Sequence, residues 1–160
     1  GPHVTTLDLA KVLEDARFLM RPDLDQWQVG LELNVADDLP PLHGDRVQLQ
    51  QVIINLVRNA MEAIVGAHIL NGVIRIAATL DRDGRHVVIS VRDNGPGIDA
   101  ARAEQLFGPL TTSKKEGLGL GLAICSSIVE AHAGRLWLHQ REAGATEFRI
   151  SLPLEPVQAT

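Results

Sequence analysis

The chain has no tyrosine, three phenylalanines and two tryptophans, so core filling falls to Leu, Ile, Val and Ala. Cys125 is the single cysteine, which excludes an intrachain disulfide and a zinc cluster and fits a reducing setting. No apolar run approaches the roughly 18 residues that span a bilayer, and no signal peptide opens the chain. Basic residues are in the minority, 15 Lys+Arg against 20 Asp+Glu for a net charge of −5, so the footprint of a nucleic-acid binder is missing. What remains is 160 residues, 45% hydrophobic and 22% charged, the size and balance of one folded domain. Gly1-Pro2-His3 reads as a protease-cleavage scar on a domain cut from a longer protein. Residues 4–155 read as the domain and 156–160 as a tail.

Apolar side chains at Leu9, Val12, Leu13, Ala16, Leu19 and Met20 carry helical periodicity from Asp8 to Met20, and Arg21-Pro22-Asp23 is expected to end it. Val29 to Val35 alternates as a half-buried strand, and Pro40-Pro41 with Gly44 marks a loop. Asp45 is a candidate N-cap for a helix to about Val65, with Val47, Ile54, Val57, Met61 and Ile64 as core candidates. Val73 to Leu80 and His86 to Arg92 form a hairpin across Asp81-Arg82-Asp83-Gly84. A short helix over Ala100 to Phe107 precedes a longer one from Leu118 to Ala133, with Gly134 as its C-cap. Arg135 to Gln140 and Thr146 to Leu152 are the last strands, joined through Gly144. Three long helices and five mostly antiparallel strands predict a two-layer α/β sandwich of the α+β class, with the helices on one face of the sheet.

Three segments carry chemistry. Gln51, Asn55 and Asn59 stand at i, i+4 and i+8, on one face of the second helix. Buried carboxamides need partners; they either tie loops together or face a polar ligand, and an amide oxygen is a donor suited to Mg²⁺. Asp93-Asn94-Gly95-Pro96-Gly97-Ile98 leaves a strand. It is either a plain turn or a slot whose Asp accepts from an exocyclic amine, with glycines that let a flat ring reach the backbone. Gly117-Leu118-Gly119-Leu120-Gly121-Leu122 opens a helix, where backbone N–H groups and the dipole suit an anion, although close packing also calls for glycine. Lys114 and Lys115, two of only three lysines, lie just upstream. The polar stretch from Asp99 to Glu116 is expected to form a mobile lid.

In this order and spacing the segments resemble the ATP-binding catalytic domain of bacterial sensor histidine kinases, of the superfamily shared with DNA gyrase, MutL and the heat-shock chaperone ATPases. The resemblance covers about Asp8 to Pro153. Its N box runs from Asp45 through Gln51 and Asn55 to Asn59-Ala60, and its G1 box is Asp93-x-Gly95-x-Gly97. Its F box is Phe107-Gly108-Pro109-Leu110, followed by Thr112-Ser113-Lys114, and its G2 box runs from Gly117 to Leu122. The resemblance implies the Bergerat ATP-binding fold, ATP and Mg²⁺. Asn59 would hold the metal, with Asn55 on phosphate or metal-bound water. Asp93 would read the adenine amino group with help from Thr146. Gly95, Gly97 and Ile98 would floor the base pocket, with Ile64 as a wall. Gly117, Leu118, Gly119, Leu120 and Gly121 would cradle phosphate. Thr112, Lys114, Lys115 and Arg58 would lie along the triphosphate, and Phe107 would anchor the lid base.

Where gyrase-type relatives place a water-activating Glu, this chain has Asn55, which takes no proton at neutral pH. ATP would therefore be held for another nucleophile, by positioning and charge neutralisation. The resemblance makes that nucleophile a histidine on a separate dimerisation and phosphotransfer domain of a homodimeric parent, which then serves a response regulator. None of His3, His43, His68, His86, His132 and His139 is followed by Asp or Glu, so the acceptor is expected outside this chain. His132 reads as a cation at a helix C-terminus. Two departures from the family pattern are Glu62, where a cation is common, and Leu110, where an aromatic is usual. The domain is expected to be cytoplasmic with no membrane contact of its own, whether or not the parent is anchored in the inner membrane. The alternatives are a serine-type kinase of the same superfamily and an inert nucleotide-binding module.

Overall fold

The computed structural model describes residues 3–107 and 118–154. Of the expected lid from Asp99 to Glu116, residues 108–116 lie outside them, as does the tail. The elements in order are β1 (Thr5–Leu7), α1 (Leu9–Gln26), β2 (Gly30–Val35), β3 (Leu42–Gly44), α2 (Arg46–Gly66), β4 (Val73–Leu80) and β5 (His86–Asp93). They continue with α3 (Ala100–Gln105), α4 (Leu118–Ala131), β6 (Arg135–Glu142) and β7 (Ala145–Pro153). The main sheet has the order β2-β4-β5-β7-β6, parallel only between β2 and β4. α1 packs on β2, α2 on β4 and β5, and α4 on β6, so the expected two-layer sandwich is present.

Strand parity builds the core. Ile74, Ile76 and Ala78 of β4, Val87, Ile89 and Val91 of β5, and Phe148, Ile150 and Leu152 of β7 all face the helices and are buried. The same parity carries Asp93 and Thr146 onto the buried face, where they are direct cross-strand partners. On the opposite face Glu147 is also buried, held by Arg149 at 2.6 Å and Arg92 at 3.7 Å.

α2 starts as expected: the Asp45 carboxylate accepts from the Gln48 N–H at 3.1 Å. Its buried stripe runs through Leu49, Val52, Ile53, Leu56, Val57, Ala60, Met61 and Ile64. Val47 is 68% exposed and is no core residue, because it points about 200° around the helix from Leu49. Leu19 is likewise exposed on α1 beside Phe18. Pro22 does not end α1, which continues one turn further to Gln26. The proline and Phe18, whose carbonyl loses its partner, both lie on the solvent side, and Leu24 prolongs the buried stripe. β1 and β3 form a two-stranded antiparallel sheet where only a loop was expected. Strands of three residues are too short to show a period.

The end of α4 also departs from expectation. Ala133, not Gly134, takes the left-handed conformation at φ 60°, while the Gly134 N–H bonds the Val129 carbonyl at 2.9 Å. Gly134 is needed for space: a Cβ there would collide with the Ser151 carbonyl of β7 and reach 2.9 Å from Leu152. Gly134→Ala should therefore lose about 1–3 kcal/mol of stability by overpacking. Gly66→Ala, with nothing within 4 Å of its Cβ position, should be neutral or gain up to about 1 kcal/mol. Parallel urea melts of the two variants check this, and equal midpoints would contradict it.

Candidate functional site

The site lies where the inner face of α2, the end of β5 and the start of α4 meet. Asp93 closes the central strand, and because β5 alternates inward at Val87, Ile89 and Val91, its carboxylate enters the core rather than solvent. Oδ1 accepts the Gly95 N–H at 2.8 Å. Burial pushes the carboxyl up to about 6, against the lowering pull of that N–H. Thr146 lies beside it, buried, with Oγ1 donating to the Glu142 carbonyl at 3.2 Å.

The loop after Asp93 is stitched down on both sides. Asn94 Oδ1 accepts from the Val73 N–H at 2.8 Å and its Nδ2 donates to the Asn71 carbonyl at 3.0 Å. The Gly144 N–H reaches the Gly95 carbonyl at 2.9 Å, and the Ile98 N–H reaches the Arg141 carbonyl at the same distance. Gly97 at φ 85° packs on the β6–β7 turn so closely that a Cβ would stand 2.7 Å from Ala143 N. A Cβ at Gly95 would lie 2.7 Å from Asp93 Oδ1, so glycine there keeps the approach to the carboxylate clear. Ile64 is buried beneath Gly95, its Cγ1 3.6 Å from where a Cβ on Gly95 would stand. Ile98 is half-buried on the edge of the same core.

The amide face of α2 is divided. Gln51 and Arg58 are exposed, Asn55 is half-buried and Asn59 is buried. Asn55 Nδ2 donates to Cys125 Sγ at 3.7 Å, and Cys125 in turn reaches the Val52 carbonyl at 3.9 Å. Burial raises the Cys125 thiol above its ordinary range, against a smaller lowering by Asn55. Cys125 thus serves the site by packing behind Asn55. Its position four residues after Gly121, on the same face of α4, was the signal for this in the sequence. Asn59 Nδ2 is buried without a hydrogen-bond partner among the described residues, and Gly121 of α4 is the backbone next to it, its Cβ position 3.8 Å away.

An unpartnered buried carboxamide under a helix start is what a site completed by a ligand looks like, and turning the amide over presents an oxygen to a cation. Among the described residues no three His, Cys, Asp or Glu gather to hold a metal. A cation here would therefore combine Asn59 with oxygens of the ligand, which fits Mg²⁺. Phe107 packs edge-on against Phe148, ring centres 6.3 Å apart. Thr112, Lys114, Lys115 and Gly117 lie outside the described residues. Leu118, Gly119 and Leu120 fall in the first turn of α4. His132, read from sequence as a helix-end cation, is instead an acceptor: its Nε2 takes the Asp45 N–H at 3.0 Å.

The α/β sandwich thus carries a helix start next to a buried amide and a strand end bearing a buried carboxylate. Residues 44–156 match the family described as histidine kinase-, DNA gyrase B- and HSP90-like ATPases. The chain belongs to that family, and its relatives are sensor histidine kinases. It is 36% identical to the sensor histidine kinase TmoS of Ectopseudomonas mendocina, over 96% of this chain and 16% of that protein. The catalytic domain of histidine kinase ThkA is 30% identical with a TM-score of 0.82, covering 96% of this chain and 99% of that one. ThkA in complex with response regulator protein TrrA is 28% identical with a TM-score of 0.78, over 96% of this chain and 42% of that one. The chain thus spans about a sixth of the length of TmoS.

Asp93 makes stability depend on pH in a definite direction. Its carboxyl titrates near 6 in the folded chain against 3.8 when exposed, so ionising it opposes folding. The penalty is absent below about pH 4, grows through pH 4–6, and is complete above, at about 3 kcal/mol. Asp93→Asn should therefore stabilise the ligand-free chain at pH 8 and give no advantage at pH 4. Denaturant melts at the two pH values measure the difference, and a pH-independent gap would refute it.

Proposed function

We propose that this domain binds ATP with Mg²⁺ and donates the γ-phosphoryl group to a histidine on a separate dimerisation and phosphoacceptor domain of a homodimeric sensor kinase. The observation that carries the reading is a pair of buried polar groups, one desolvated with a single backbone N–H against it and the other with an amide nitrogen that has no partner among the described residues. They are the Asp93 carboxylate at the strand end and the Asn59 carboxamide under α4.

Asp93, with Thr146 beside it, accepts the adenine amino group, while Gly95 and Gly97 admit the ring and Ile64 and Ile98 floor it. The first turn of α4, from Leu118 through Gly121, offers backbone N–H groups to the phosphates, following Gly117. Asn59 would hold a magnesium ion, which would supply neutralisation of phosphate charge. Lys114, Lys115, Thr112 and Arg58 supply the remaining contacts along the triphosphate, and Phe107 anchors the base of the lid.

Asn55 decides transfer against hydrolysis. A carboxamide, with its Nδ2 already committed to Cys125, takes no proton from water, so this chain offers no general base in that position. The chain's part is to orient the triphosphate in line with an incoming imidazole and to exclude water. The likeness to ThkA held with TrrA supports a response regulator as the next phosphate acceptor. A cytoplasmic position fits a domain that uses ATP; among the described residues no helix is long and apolar enough to cross a membrane.

The test mixes the domain with a separately expressed helical hairpin carrying a His-Glu or His-Asp motif and labelled ATP. The hairpin should take up label and the domain alone should not. Asn59→Ala should slow transfer on the order of 10²–10³-fold, the scale of losing one charge-stabilising contact, and Asp93→Asn should abolish the preference for adenine nucleotides. Binding without transfer would favour the inert module, and appreciable self-labelling would overturn the reading.

A further inference from the structure

α2 and α4 run antiparallel along one seam: Gly121 lies beside Asn59, Cys125 beside Asn55, and His132, just past the end of α4, beside Asp45. The nucleotide reading uses the first two of these contacts and leaves the third unexplained.

His132 is half-buried with both ring nitrogens engaged. Nε2 faces the Asp45 backbone N–H at 3.0 Å and so acts as acceptor; Nδ1, 2.8 Å from the Ile128 carbonyl, then carries the proton. The ring is seated on Gly44, where a Cβ would come 3.0 Å from Cδ2 and 3.2 Å from Nε2. This contact displaces a local one. Asp45 and Gln48 have the form of a capping box, in which the N3 side chain takes the N–H of the N-cap. Here the carboxylate accepts from Gln48 as usual, but the return bond goes to a residue 87 positions away, and Gln48 Oε1 stays buried without a partner. A helix that needed only a cap had one three residues along.

We propose that His132 is a positioning residue for the phosphate end of the site, an inference that rests on the nucleotide reading above. α4 is a stiff rod of 14 residues, so a latch at its far end sets where its first turn stands over Asn59. The base end, Asp93 and Thr146, is built from strands β5 and β7 and does not depend on that seat. Loss of the latch therefore weakens the hold on phosphates and spares the hold on the base.

Calorimetry with Mg·ATP and with adenosine, on the 160-residue chain and its variants, tests this. His132→Leu removes the acceptor; His132→Gln restores one at similar reach. H132L should weaken Mg·ATP by about tenfold, a 1.4 kcal/mol effect, with adenosine changed by less than about twofold, and H132Q should recover most of the loss. Unchanged binding in H132L, equal weakening of both ligands, as from general destabilisation, or no recovery in H132Q would overturn the proposal. If H132L fails to fold, H132Q against H132N, whose shorter amide falls short of Asp45, makes the same comparison. Failure of the unaltered chain to bind ATP would overturn this inference together with the nucleotide reading, and is told apart because it needs no substitution.

Discussion

A carboxylate out of water at the end of the middle strand is the constraint on which the site turns. The Asp93 side chain sits in line with Val87, Ile89 and Val91, with one backbone N–H from Gly95 to offset its desolvation. That offset is partial, as the raised carboxyl range records. A group so placed favours whatever brings it a hydrogen-bond donor, and the loop that follows leaves the approach open. Gly95 has no side chain to block Oδ1, and Gly97 lets the backbone turn against the β6–β7 hairpin. Folding free energy is thus held in reserve at the end of β5.

Asn59 follows the same logic with a different group. Asn59 is buried on α2 because it falls within the stripe that includes Leu56, Ala60 and Ile64, and its Nδ2 has no partner among the described residues. Gly121 keeps the neighbouring turn of α4 free of a side chain. Strand end and helix start belong to separate elements, and the core between them fixes their spacing. Packing fixes the two elements relative to each other, and hydrogen bonds from Asn94, Gly144 and Ile98 hold the loop after Asp93.

Much of this was legible along the chain. The cap at Asp45, the hairpin across Asp81 to Gly84 and the five strands of the main sheet follow from local chemistry, which acts over a few residues. The motif order pointed to the family before any contact was known. Local rules failed where a contact from elsewhere outweighed them. Pro22 sits inside α1 because Leu24 extends the buried stripe and the lost hydrogen bond faces solvent. Gly134 serves packing against β7 rather than left-handed geometry, which Ala133 adopts. Val47 looked apolar enough for the core but lies on the wrong side of α2.

By itself the sequence determined on which kind of element most of the singled-out residues stand, because capping, periodicity and turn preference are short-range. That Asp93 and Thr146 meet side by side followed only once strands β5 and β7 paired, since register is a property of two strands and not of one. That Cys125 backs Asn55, and that His132 takes the N–H of Asp45 from Gln48, was decided by the antiparallel seating of α4 on α2. Helices separated by some fifty residues acquire a mutual register through side-chain packing in three dimensions, and no local preference encodes it.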